Sequence, residues 1–282
     1  MKKQKLFIVA SLVLVGICVT SCFKKSDKIK FDKLDLKERV YLFPVIDTTM
    51  PYANVEIEFN YPKRFKSKED LARLQKIFIG TFYNDESYDS LSPKEALSQY
   101  LVDYTEEYRE LGNQYYEDKG NLEGDNQPSW YWYELQKSNE ILFEDEDVLS
   151  YSVQHVDFTG GAHGSLNVLY YTIDMNELTT ITQENIFKPN FYKFLTTKII
   201  ERLMVKFDVD TPEKLHNEGI FDINDIAPND NFWINDEGVH YIYNQYEIAP
   251  YVMGPIEVTI PYEDIKSIII PESIAGKYID LL

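Results

Sequence analysis

The chain of 282 residues carries 47 acidic against 28 basic side chains, a formal charge of -19, and 44% of it is apolar with 15% aromatic. That apolar share supplies a core and excludes wholesale disorder, while only 12 Gly and 12 Pro exclude collagen-like or linker-dominated chains. The acidity argues against nucleic acid as a partner, because a phosphate backbone rewards Lys and Arg.

Lys2, Lys3 and Lys5 precede an apolar run from Leu6 to Val19. A charged stretch followed by a short apolar one is the pattern of a secretory signal, and the run is too short for a comfortable bilayer span. It ends in Val19-Thr20-Ser21-Cys22, which resembles the lipobox of bacterial lipoproteins. Residues 1–21 are therefore expected to be a cleaved signal peptide, with Cys22 lipidated as the first residue of the mature chain. Such a protein would sit in the cell envelope, on the periplasmic face or the cell surface, with its N-terminal lipid as the only membrane anchor. Cys18 would leave with the signal and Cys22 would be blocked, so neither a disulfide nor a free thiol is expected. Residues 22–38, with lysines at 24, 25, 28, 30 and 33, read as a tether.

Strands are predicted at Arg39–Ile46 and Asn54–Tyr61. The second alternates Val55, Ile57 and Phe59 with Glu56, Glu58 and Asn60. A helix follows over Lys68–Phe82, capped by Ser67, with Leu71, Leu74, Ile77 and Phe78 forming one apolar stripe. Ser92-Pro93-Lys94-Glu95 starts another, running to Leu111 and stopped by Gly112-Asn113. Asn121–Pro128 is a loop and the best internal boundary. Strands are then predicted at Ser129–Lys137, Glu140–Phe143, Val148–Phe158 and Ser165–Asp174, and a short turn or helix at Glu184–Phe187. A helix is predicted over Phe191–Phe207 and a shorter one from Thr211 towards Gly219. The last strands are Asn231–Ile234, Val239–Tyr243 and Ile256–Ile260, followed by a helical turn over Pro261–Ile268. Strands, then helices, then strands, without regular βαβ alternation, predict an α+β fold. The expected division is a smaller N-terminal α+β part, 39–128, and a larger sheet-helix part, 129–282.

Three segments carry a resemblance. They are Tyr151–Thr159 leading into Gly160-Gly161-Ala162-His163-Gly164; Val168–Asp174 running on to Ile186-Phe187; and Gly238–Gly254, which contains Tyr246-Glu247-Ile248-Ala249-Pro250-Tyr251 and continues to Tyr262. Together they resemble the extracytoplasmic domain of RsiV-type anti-sigma factors and of PdaC-type peptidoglycan deacetylases. The resemblance implies a binding module. RsiV-type members bind lysozyme, and in the deacetylases the domain is an accessory beside a separate catalytic one. Only five residues precede the apolar run, so the sigma-factor role is not expected here. No motif for a metal-dependent deacetylase domain is present either.

The candidate binding residues are Gly160, Gly161, His163 and Gly164 in the glycine loop, and Trp130 and Trp132 in an aromatic run. The loop reads either as a partner-binding element or as a tight hairpin turn, since glycine permits positive φ and close backbone approach. Trp130-Tyr131-Trp132-Tyr133, read as a strand, would place aromatics on both faces, one in the core and one free to stack on sugars or anchor a protein. His155 and His163 flank the turn but match no recurring ligand spacing, and Asp222–Asn231 fails the EF-hand pattern, so no metal or other cofactor is expected. Glu144–Asp147 reads as an exposed acidic turn able to attract cations or a basic protein. No catalytic residue is assigned. The expected function is a lipid-anchored envelope protein binding a lysozyme-like muramidase, another basic protein or peptidoglycan. The alternative is a glycan-active hydrolase using His163 with a nearby carboxylate such as Asp157.

Overall fold

The computed structural model describes residues 28–123 and 126–281. The expected signal peptide, Cys22 and the first part of the tether lie outside the described residues. Within them the chain is α+β, as its pattern predicts: a six-stranded sheet in the order β1-β2-β3-β4-β5-β6 and a three-stranded sheet, β7-β8-β9, with helices packed on both.

β2 (Tyr52–Arg64) shows why the larger sheet forms. Its alternation buries Ala53, Val55, Ile57 and Phe59 and leaves Glu56 and Glu58 on the outer face. There they meet Lys37 and Lys33 of β1 (Lys30–Tyr41) at 3.0 and 2.9 Å. β2 pairs in parallel with β3 (Tyr133–Glu144), the one parallel neighbour in this sheet. Parallel neighbours need a long crossover. Here it consists of α1 (Lys68–Tyr83), α2 (Pro93–Glu110) and α3 (Gly112–Gly120). Ser67 caps α1, accepting from the Asp70 amide, and α2 opens on a reciprocal Ser92/Glu95 box. Leu74, Phe78 and Phe82 of α1 then press onto the sheet.

β4 (Val148–Phe158) belongs to two cores at once. Leu149, Tyr151 and Val153 face α1, where the Tyr151 ring stacks on Phe78 at 4.5 Å. Val148 and Ser150 point the other way, towards β7 (Phe232–Ile234), β8 (Gly238–Tyr243) and β9 (Ile256–Pro261). The Ser150 hydroxyl donates to the Ile234 carbonyl at 2.7 Å, and the Ile234 amide donates to Thr172 of β5 (Ser165–Asp174) at 3.2 Å. Two hydroxyls thereby replace a missing strand partner. Beyond the two-residue β6 (Thr179–Thr180) and α4 (Gln183–Ile186), α5 (Tyr192–Lys206) buries Leu195, Ile199 and Leu203 in the second core.

Three expectations change. The first strand starts at Lys30 rather than Arg39, so residues 30–38 are sheet and not tether. The expected boundary at 128/129 falls within one sheet, whose β1 and β2 precede it and whose β3 to β6 follow. α2 does stop before Gly112, at Glu110, as the sequence predicts, and a further short helix, α3, begins at Gly112, whose missing side chain admits the Phe43 ring, which a Cβ would meet at 3.1 Å. Finally, Ser129–Tyr131 is a 3₁₀ turn and the strand begins at Tyr133, so Trp130 and Trp132 do not share a strand.

Candidate binding surface

The β4–β5 hairpin closes through Thr159–Gly164. Gly160 has φ +82, and a Cβ on it would lie 1.9 Å from the Trp130 carbonyl oxygen. At Gly164 a Cβ would lie 2.7 Å from the Asp157 carbonyl. Both glycines are thus required by close backbone approach, whereas a Cβ on Gly161 would meet only the His163 carbonyl at 3.8 Å. Gly160→Ala is expected to cost more than about 1 kcal/mol, as alanine does where φ is positive and the backbone must move. Gly161→Ala should leave stability nearly unchanged. Urea midpoints of the two variants check the contrast, and equal midpoints would contradict it.

The seated loop carries Gly161, Ala162 and His163 outward, all exposed. The His163 ring lies on Tyr251, centroids 3.9 Å apart and planes 22° apart, and its Nδ1 is 3.3 Å from the Gly164 carbonyl. Tyr251 opens a 3₁₀ turn in the β8–β9 connection, with Val252 beside it 86% exposed. Tyr246, 6.1 Å from Tyr251, is 59% exposed and held at φ +68. Its amide donates to the Ala249 carbonyl at 3.0 Å, closing the loop on itself. A tyrosine fixed in left-handed backbone, with its ring in solvent, is a costly arrangement that the fold maintains.

Side-chain amides pin this loop to β5. Gln245 accepts from the Leu166 amide at 3.0 Å, Asn244 brackets Val168 by accepting from its amide (2.8 Å) and donating to its carbonyl (2.9 Å), and Asn231 accepts from Tyr170 at 2.7 Å. The outcome is an open groove of about 390 Å³ lined by Asp157, His163, Ser165, Asn167, Gln245, Tyr246 and Tyr251. The glycine loop and the Tyr246–Tyr251 stretch, some 80 residues apart, form one surface.

Trp130 lies behind the loop, packed against Gly160 and 41% exposed, its indole N–H donating to Asp118 at 3.4 Å. Trp132 is half-buried. His155 lies on β4 ahead of the loop. It lies 3.7 Å from Asp157, and burial together with the Lys137 charge holds its pKa below the ordinary value. Asp157 also accepts a hydrogen bond from Ser165. It thus stands between a serine and a histidine, whereas nucleophilic catalysis needs the histidine in the middle. His216 is bound to the Ile220 and Phe221 carbonyls at 3.1 and 3.0 Å, a structural role. The acidic turn is partly spoken for: Lys277 bridges Asp145 and Asp147 at 2.9 and 2.6 Å, and Tyr278 donates to Asp145 at 2.6 Å. Both carboxyls are held below their ordinary pKa by these donors against the opposing effect of burial. Among the described residues no three His, Cys, Asp or Glu side chains gather in a way that could hold a metal ion. Nor, among them, is any helix long and apolar enough to cross a membrane.

The Tyr246–Tyr251 stretch stands out in the sequence, but nothing in it marks Tyr246, Tyr251 or Asn244 as site residues. Tyrosines in a Gly/Pro-rich connection are a weak signal, and the amide clamp has no local signature at all. Lys137 has no local signal either: it is buried with its ammonium 5.6 and 5.4 Å from the Phe82 and Tyr100 rings, its pKa pulled down to about 8 by burial.

Residues 51–166 match a family described as deacetylase PdaC, and residues 184–263 match one described as protein of unknown function DUF3298. The glycine loop falls in the first segment and Tyr246–Tyr251 in the second. A crystal structure of a DUF3298-family member from Bacteroides fragilis is 30% identical, with 89% of this chain and 97% of that one covered and a TM-score of 0.81. A DUF3298-family structure from Pseudomonas aeruginosa is 14% identical over 87% of this chain and 96% of that one, with a TM-score of 0.58, a likeness of fold alone. No curated protein matches the chain.

Proposed function

This chain belongs to the DUF3298 family, and from that premise we propose that it is a lipid-anchored cell-envelope protein that binds a basic, lysozyme-class muramidase. The binding surface is the junction of the glycine loop with the Tyr246–Val252 turn. The observation that carries the reading is that the two segments most specific to the RsiV-type resemblance converge on one exposed aromatic patch: His163 on Tyr251 at 3.9 Å, with Tyr246 and Val252 standing free beside it.

Exposed tyrosines with few rotamers, set on a rigid turn, are the anchors that protein interfaces favour. The charge of -19 supports the choice of a basic partner, since an acidic surface speeds encounter with it. Lipidation at Cys22 would hold the module outside the membrane where such a muramidase acts. Peptidoglycan is the second reading, favoured by Asn167, Gln245 and the tyrosines lining the same groove, groups suited to sugar hydroxyls and ring faces. A hydrolase has less support: Asp157 lines the groove with His163, but among the described residues no hydrogen bond joins His163 to a carboxylate.

The test is calorimetric titration of the mature chain with hen-type lysozyme, alongside His163→Ala and Tyr251→Ala. Each substitution is expected to weaken binding at least about tenfold, as loss of an interface anchor does, while the circular dichroism spectrum stays native. Unchanged affinity in both variants would move the interface elsewhere.

A further inference from the structure

The two long edges of the six-stranded sheet are treated in opposite ways. At the β5 edge, β6 is only two residues long, and Asn231, Asn244 and Gln245 bond the free amides of Leu166, Val168 and Tyr170. Another strand cannot pair there. β1 forms the other edge, twelve residues without a proline. Among the described residues its backbone bonds only to β2, apart from the Tyr41 carbonyl, which accepts from Arg109 at 3.3 Å, and the Lys33 amide, which donates to the carboxylate of Asp32 beside it. Edges are normally protected by shortness, bulges, cover or charged side chains; β1 has the charges, and the one irregularity in its ladder falls at its end, between Lys30 and Phe31. Leu34 and Leu36 are only half-buried against the core and would be covered by a further strand.

The charges along this edge select its occupant. We propose that β1 pairs antiparallel with β1 of a second copy, about a two-fold axis through Leu34, joining the two larger sheets into one. In that register Lys33 faces Asp35 of the partner and Lys30 faces Glu38, each twice by symmetry, and Leu34 meets Leu34. No like charges are opposed. Shifting the axis by one residue either way, to the neighbouring registers that keep the backbone groups matched, sets Lys33 on Lys33 or Asp35 on Asp35. Directly opposed like charges destabilise strand pairs, so the edge accepts one register and disfavours its neighbours. Lys33 already lies 2.8 Å from Asp35 of its own strand. A second copy would therefore meet a preformed alternating row of charge. The two-fold closes the assembly as a dimer.

The test uses residues 28–281, which contain both apolar cores, followed by sedimentation equilibrium at about 0.15 M salt, where only close charge pairs act. A monomer–dimer equilibrium is expected. Lys33→Asp should weaken it at least about tenfold, because two attractive pairs become repulsive together, and adding Asp35→Lys to that variant should restore it. Circular dichroism checks that each variant is folded. Independently, the described residues contain no cysteine, so a Leu34→Cys variant should oxidise to a covalent dimer much faster than a Leu36→Cys variant, whose sulfurs would lie further apart. A chain that stays monomeric to about 1 mM would leave the edge to a peptide of another protein and overturn the proposal. Dimerisation indifferent to Lys33→Asp, or failure of the charge swap to restore it, would overturn it equally.

Discussion

Replacing Tyr151 with alanine is expected to remove about 3–5 kcal/mol of stability, the usual cost of truncating a buried aromatic side chain. Tyr151 has no exposed surface. Its ring is held between Phe78 of α1 at 4.5 Å and Tyr171 of β5 at 5.5 Å, and its hydroxyl is 2.8 Å from Thr81. The side chain therefore joins helix α1 to two strands, and no neighbour is free to collapse into its place. A loss of that size is a large fraction of the total for a domain, typically about 5–15 kcal/mol. Tyr151→Phe separates packing from polarity. It keeps the stack, and Thr81 still donates to the Ile77 carbonyl at 2.8 Å, so about 1 kcal/mol should be lost. Urea unfolding measures both. A Tyr151→Ala loss no greater than that of Tyr151→Phe would show that the ring does not join the layers.

The second large effect is one of pH. His240 of β8 is buried, stacked on Trp233 at 3.9 Å, with Nδ1 2.9 Å from the Thr259 hydroxyl and, among the described residues, no partner for Nε2. Burial lowers its pKa from 6.5 to about 4. A folded-state pKa below the unfolded value means that the unfolded chain takes up a proton first. Stability is then complete above pH 6.5 and falls as the pH drops towards 4, by about 3 kcal/mol over the whole window. His155 adds in the same direction, and the depressed carboxyls of Asp145 and Asp147 lose their contribution at lower pH still. In His240→Phe the unfolding free energy between pH 6.5 and 4 should vary much less than in the parent chain. Parallel pH profiles of the two proteins would contradict the assignment.

These residues also show which parts of the fold were legible in the sequence. β2, α1 and α2 announce themselves because each carries a period and a terminator: the Val55/Ile57/Phe59 alternation, the Ser67 cap and the Ser92–Glu95 box. β1 does not, because Lys30–Arg39 is held by pairing with β2 rather than by its own burial, and a charged edge reads like a tether. The aromatic run at 130–133 misleads in the opposite sense. Its composition favours a strand, but Trp130 is held in a turn against Gly160, a contact 30 residues away. The candidate surface was legible only in pieces. The glycine loop and the Tyr246–Tyr251 stretch each stood out, yet what unites them is Asn244 and Gln245 bonding the β5 edge, which no local pattern encodes.

The amide clamp also gives the proposed surface its rigidity. Tyr246 and Tyr251 stand on a loop fixed at Leu166 and Val168, and the glycine loop that carries His163 is the turn of the same β4–β5 hairpin. Little ordering would remain to be done on binding, so a partner would meet a surface already formed. Peptidoglycan fragments would use the same groove, through Asn167, Gln245 and Asp157 as well as its tyrosines.

The most direct test of this account is titration of the mature chain with hen-type lysozyme at about 0.15 M and again at about 0.5 M salt, since exposed charge pairs are heavily screened at the higher value. Saturable one-to-one binding that survives the higher salt is the result the account predicts. Binding that vanishes at the higher salt, or is absent at both, would contradict it.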